Sequence, residues 1–163
     1  MKSDTIFPTL PSSFKQEEVG LFLYALGHTM WPICRSITGP GVRETLNILK
    51  HYLTQLQIHA IPTGEKCFDW RVPEEWQINE AYIKDENGNK IIDFHENNLH
   101  VVGYSTPIDS VMSLEALNSH LHSLPEQPDA IPYVTSYYTK RWGFCLTDRQ
   151  RKSLLPGQYQ VVI

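Results

Sequence analysis

The sequence predicts a mixed fold, α+β or α/β, with a helical N-terminal stretch followed by a β-rich remainder. Three observations predict it. Apolar residues recur at helical period between residues 13 and 56. Near residue 57 the pattern changes to short alternating runs punctuated by Pro and Gly. Within that second part, Asn87-Gly88 lies between two alternating runs, which is a β-hairpin signal. The chain has 163 residues, 41% of them hydrophobic, enough to build one ordinary domain or two small ones.

Residues 1–12 carry Pro8 and Pro11 and read as a loose, flexible arm. A helix is expected from about Ser13, which has capping-box spacing to Gln16. Val19, Phe22, Leu23, Leu26 and Met30 give its apolar stripe, and Pro32 ends it near Trp31. The turn-rich stretch 34–41 leads to Pro40, suited to the first position of a second helix. Val42, Leu46, Leu49, Leu53 and Leu56 lie along one face of that helix.

Ile58–Ile61 alternates and is closed by Pro62 and Gly64, so it reads as a strand. Trp70, Pro73 and Trp76 mark an irregular aromatic stretch. Strands are expected at Ala81–Lys84 and Lys90–Phe94, joined through Asp85–Asn89, and again at Leu99–Tyr104. Ser113 caps a short helix bearing Leu114, Leu117 and Leu121. Tyr133–Tyr138 and Trp142–Leu146 read as two further strands. Thr147 and Gln150 form a capping box for a helix that ends at Pro156-Gly157. The last strand, Gln158–Ile163, stops on three apolar residues, a pattern expected where the chain naturally continues; the alternative is a strand that simply pairs inside a finished sheet.

Composition limits function. The net charge is −4 and no cluster of Lys and Arg appears, so no nucleic-acid partner and no anionic membrane surface are expected. The N-terminus lacks the apolar run of a secretory signal, and no stretch reaches membrane-span length. Cys34, Cys67 and Cys145 are odd in number and widely spaced, which reads as reduced thiols in cytoplasm.

Candidate chemistry is sparse. No GxSxG elbow and no HExxH helix are present. His120 and His122 fall on the helix expected there, where residues two apart point about 200° from each other. Asp93 and His95 share one side of a strand, with His100 five residues on, but nothing fixes a fourth ligand, so the group reads as a hydrated hairpin edge. Cys34 and Cys145 have Arg35 and Arg141 nearby, which could favour a thiolate; buried structural thiols are the commoner case. Thr38-Gly39-Pro40-Gly41 opens a helix between Arg35 and Arg43, where free N–H groups could receive a carboxylate; a tight interhelix turn is the plainer reading. Tyr133, Tyr137, Tyr138, Trp142 and Phe144 crowd into twelve residues with Lys140 and Arg141 among them, a pattern that serves either a binding face or a core.

Several of these stretches, in order, resemble one family. They are CRSITGPGVRETL (34–46), FDWRVPEEW (68–76), AYIKD (81–85), IIDF (91–94), NLHVVGYS (98–105), LHSLPEQP (121–128) and IPYVTSYYTKRWGFC (131–145). The resemblance is to the bacterial aminopeptidase-like domain-of-unknown-function proteins, often associated with surface-polysaccharide gene clusters, and runs from about residue 15 to 163. It implies a zinc exopeptidase-like α/β/α layer interrupted by an inserted β-rich domain. Residues 13–64 and 156–163 would belong to the layer, and 65–155 to the insert. The family's zinc ligands would follow residue 163, so neither catalytic nor metal-binding residues are carried over, and zinc is not expected in this chain alone. The chain would then be the N-terminal part of a hydrolase of peptide or amide bonds, partnered by a C-terminal exopeptidase portion. In that setting Arg35 and Arg43 would meet a substrate carboxylate, and Tyr138, Arg141 and Trp142 would line the pocket. The alternative is a non-catalytic carbohydrate- or protein-binding module that uses the aromatic cluster.

Overall fold

The computed structural model describes residues 7–13, 15–137 and 139–163. It comprises two compact units, Met1–Gln77 and Ile78–Ile163.

In the first unit, α1 spans Gln16–Met30 and α2 spans Pro40–Tyr52. The expected capping box at the start of α1 does not form: Ser13 Oγ donates to the Glu18 carboxylate at 2.7 Å, and Lys15 takes the cap position without a side-chain bond. Pro40 opens α2 as expected. Leu26 and Ile48 are the buried apolar residues of the two helices, and the Phe22 ring meets Tyr52 edge-on at 5.2 Å. The α2 helix ends before Leu53, which is 57% exposed, so the expected stripe runs past the helix. The described part of the arm is tied down: Phe7 stacks on His51 at 4.4 Å, and Tyr52 Oη donates to the Pro8 carbonyl at 2.8 Å. Ile58–Ile61 forms no strand, because among the described residues no neighbour pairs with it. The aromatic stretch instead holds a small hairpin, β1 (Lys66–Cys67) against β2 (Trp70–Arg71), turned through Phe68 at φ 54°.

The second unit carries the larger core. Its elements are β3 (Tyr82–Lys84), β4 (Lys90–Asp93), β5 (Asp109–Ser113), α3 (Leu114–Asn118), β6 (Leu121–His122), β7 (Phe144–Cys145), α4 (Asp148–Ser153) and β8 (Gln158–Val162). Four strands make an antiparallel sheet in the order β4-β3-β8-β5. Ile83 pairs with Ile92 on one side and Val161 on the other, and all three are buried. The hairpin is the one expected. Asp85 Oδ1 accepts from the N–H groups of Asn87 and Asn89, and Gly88 takes φ 81°, where a Cβ would be strained. Thr147 and Gln150 form the expected capping box of α4.

Gln158–Val162 is an interior strand of the sheet, bonded to β3 and β5, and falls in the second compact unit. Two expectations are corrected here. Leu99–Tyr104 is a 3-10 turn (Asn98–His100) followed by isolated bridges, because Asn97 Oδ1 captures the Leu99 N–H. Between residues 133 and 137 the expected strand is reduced to one bridge, Gly103 to Thr135. Among the described residues no helix is long and apolar enough to cross a membrane.

Candidate functional site

The first unit places Arg35 and Arg43 in the turn between its helices and the start of α2. Arg35 Nη1 donates to the Met30 carbonyl at 2.8 Å, tying the end of α1 to the turn. Arg43 forms a two-pronged ion pair with Glu75, one prong at 3.0 Å. That pair raises the arginine's proton affinity and holds the Glu75 carboxyl below its usual range, chiefly through the direct hydrogen bond. The guanidinium fork that would clasp a substrate carboxylate is therefore occupied by a carboxylate of the same unit. The turn itself is closely packed. A Cβ on Gly41 would lie 1.9 Å from the Cys34 carbonyl oxygen, and one on Gly39 3.0 Å from that of Trp76. The helix N-terminus is thus covered by its own chain.

Burial holds two of the cysteines, Cys34 and Cys145, as thiols. Burial raises the Cys34 thiol above its ordinary range despite the lowering effect of Arg35. Burial lifts the fully enclosed Cys145 to about 11. Asp93, His95 and His100 do not converge. Asp93 bonds Lys90 and the His95 N–H, while His100 is buried with Nδ1 2.7 Å from the Cys145 carbonyl. Among the described residues, no three His, Cys, Asp or Glu side chains are grouped so as to hold a metal ion.

The second unit disperses the aromatic cluster. Phe144 is wholly buried, Tyr133 is 78% exposed, and Tyr137 packs edge-on to Tyr104 at 5.1 Å. Tyr138 lies outside the described residues. Arg141 is exposed and donates to the Thr135 carbonyl at 3.0 Å. Half-buried Trp142 stacks on His120 with centroids 3.7 Å apart and planes 7° from parallel. The sequence reading missed this partner because it put His120 and His122 on a helix. In the structure α3 ends at Asn118; His120 follows in a turn, and His122 belongs to β6. His122 Nε2 lies 3.3 Å from where a Gly143 Cβ would sit. Burial, then the positive charges of Arg141, Arg151 and His120, hold its proton affinity below the ordinary histidine value. Trp142 stacks on His120, and the charges of Arg141, Arg151 and His120 act on His122, an association spread over residues 120–151.

A separate cavity of about 390 Å³ lies by the β3–β4 turn, with Asp85, Glu86, Ile91, Leu154 and Tyr159 among its lining. None of the expected site residues faces it.

Residues 75–163 match a family described as "Domain of unknown function (DUF2172)". A protein of Clostridium acetobutylicum called "Putative polysaccharide biosynthesis protein with aminopeptidase-like domain" is 48% identical over 146 residues, 90% of this chain and 33% of the relative. A crystal structure from the same organism, described as a "putative peptidase", is similar with a TM-score of 0.87 and 48% identity. The likeness covers 90% of this chain and 34% of that one. The chain therefore spans about a third of the length of these two relatives.

Proposed function

The chain belongs to the family described as Domain of unknown function (DUF2172), and from that premise we propose that it is the N-terminal part of a longer aminopeptidase-like hydrolase of peptide or amide bonds. One observation carries this reading: the first unit has far too little interior for the apolar surface it displays. Among the described residues it buries three apolar side chains, Leu26, Ile48 and Val72, against twelve in the second unit. It leaves eleven large apolar side chains exposed, including Leu21, Leu23, Tyr24 and Trp31, against three in the second. Exposed apolar side chains mark contact faces where they lie together. In this reading a further portion of the protein, of the kind the longer relatives possess, covers α1, α2 and the unpaired 58–61 segment. That portion would also supply the zinc ligands.

The second unit then serves as a wall of the substrate site, contributing Arg141 and Trp142. The three free thiols accord with a reducing, cytoplasmic setting. The relative's name, which joins polysaccharide biosynthesis to an aminopeptidase-like domain, supports an amide substrate from polysaccharide biosynthesis. The test is a chimera in which this chain replaces the matching third of the Clostridium acetobutylicum relative. The chimera should hydrolyse aminoacyl anilides whenever the parent does. An inactive, folded chimera beside an active parent would overturn the proposal.

A further inference from the structure

We propose that the cavity beside the β3–β4 turn binds an organic ammonium, a primary amine carried on a short alkyl chain. The cavity holds about 390 Å³, within the range of small-molecule sites, and lies wholly in the second unit. Its apolar walls come from Ile91 of β4 and from Leu154, Leu155 and Pro156, which join α4 to β8. Its charge comes from Asp85 and Glu86. No Lys, Arg or His side chain is among its lining, and neither carboxylate forms an ion pair among the described residues. Negative charge therefore meets an apolar cavity with no cation to balance it.

The walls are fixed before any ligand arrives. Tyr159 Oη donates to the Leu155 carbonyl at 2.6 Å, and the Gln158 N–H donates to Glu86 Oε1 at 2.7 Å. A Cβ on Gly157 would stand 2.8 Å from that same oxygen, so the glycine leaves the carboxylate its place. The remaining acceptors decide what the ligand must offer. Asp85 uses both oxygens within its turn, on Asn87 and Asn89, and so lends the cavity chiefly its charge. Glu86 Oε2 accepts no bond among the described residues. Ser153 Oγ gives its proton to the Gln150 carbonyl and can only accept further. Free acceptors and negative charge call for a cation rich in donors. A metal ion is poorly served, because among the described residues no third His, Cys, Asp or Glu side chain is grouped with the two carboxylates. An alkylammonium suits both halves of the cavity: its N–H donors meet the acceptors, and its chain is removed from water by the apolar walls.

The site is independent of the hydrolase reading, and its test involves no hydrolysis. The 163-residue chain, labelled with nitrogen-15, is titrated at pH 7 and constant ionic strength with hexylammonium, hexanoate and hexanol. The amide resonances of Gly157 and Gln158 should shift saturably with hexylammonium alone. Methylammonium should bind more weakly, by roughly two- to fourfold for each methylene that would have entered the cavity. Glu86→Gln keeps an acceptor for the Gln158 N–H and removes the charge. It should weaken hexylammonium about tenfold, the usual loss for one charge-assisted bond. Glu65→Gln, in the other unit, should leave binding unchanged. The Val161 amide, interior to the sheet, reports folding in each variant. If Glu86→Gln disturbs it, the comparison of hexylammonium with hexanoate and hexanol on the unaltered chain decides alone. Nα-acetyl-lysine methylamide binding at least as tightly as hexylammonium would assign the ammonium to a peptide side chain; weaker binding would assign it to a free alkylamine. An equal response to hexanol would overturn the site. So would a hexylammonium shift that never saturates, or full affinity in folded Glu86→Gln.

Discussion

Gly143→Ala is the sharpest perturbation of the second unit. Its new Cβ would lie 2.8 Å from the His120 carbonyl oxygen, 3.1 Å from Val102 Cγ2 and 3.3 Å from His122 Nε2. The first contact is with backbone and cannot yield by a rotamer change. That carbonyl accepts the Phe144 N–H at 2.8 Å, and the Gly143 carbonyl accepts the Val102 N–H at 3.0 Å, so relief of the clash strains both bonds. Overpacking of this kind costs about 1–3 kcal/mol. For a unit of this size a loss near the middle of that range, about 2 kcal/mol, lowers the melting temperature by roughly 8–16 °C. The assay can isolate the unit, because Trp142 is its sole tryptophan; Trp31, Trp70 and Trp76 belong to the other. Fluorine NMR of fluorotryptophan-labelled chain would follow each unit through heating. Gly27→Ala is the control: nothing lies within 4 Å of its new Cβ. In a helix interior that change should stabilise by about 0.5–1 kcal/mol. A Trp142 transition left within a degree of wild type in Gly143→Ala would refute the packing described for β6 and β7.

Other outcomes follow from the same structure. Thr147→Ala removes one half of the α4 capping box and should cost about 1 kcal/mol, read by urea unfolding. His122 has a folded proton affinity below its unfolded value. The unfolded chain therefore binds the extra proton first, and stability should fall as pH drops from about 6.5 toward the lower folded value, then level off. His122→Gln should flatten that part of the profile in pH-dependent melting. Cys145, lifted to about 11, should resist thiol reagents at pH 8 in the folded chain and react once urea unfolds it. Between about pH 9 and 11 the unfolded chain loses that proton while the folded chain keeps it, so stability should decline over that window. A Cys145→Ala variant measured alongside would show a shallower decline.

Features set by neighbouring residues were legible in the sequence. The Asp85–Asn89 turn is built from one carboxylate and nearby N–H groups, so its chemistry is written locally. The same holds for Pro40 at the start of α2 and for Thr147 with Gln150. Strand β5 was not legible. Asp109–Ser113 has little β propensity and extends only because β8 pairs with it along five residues. Ile58–Ile61 is the converse, with the right alternation but no partner strand. The site shows the same divide. Arg141 and Trp142 stood out because cations and aromatics cluster locally. Arg43 was read without Glu75, which is 32 residues away and occupies its fork. His120 meets Trp142 only where β6 pairs with β7.

In the function proposed above, this chain carries part of a hydrolase and the metal chemistry resides elsewhere in the protein. Zinc content of the purified 163-residue chain, measured by elemental analysis together with turnover of an aminoacyl anilide panel, tests it most directly. Neither stoichiometric zinc nor turnover is expected. One zinc per chain with hydrolysis would contradict it, and would require His, Cys, Asp or Glu side chains to converge in a way that the described residues do not.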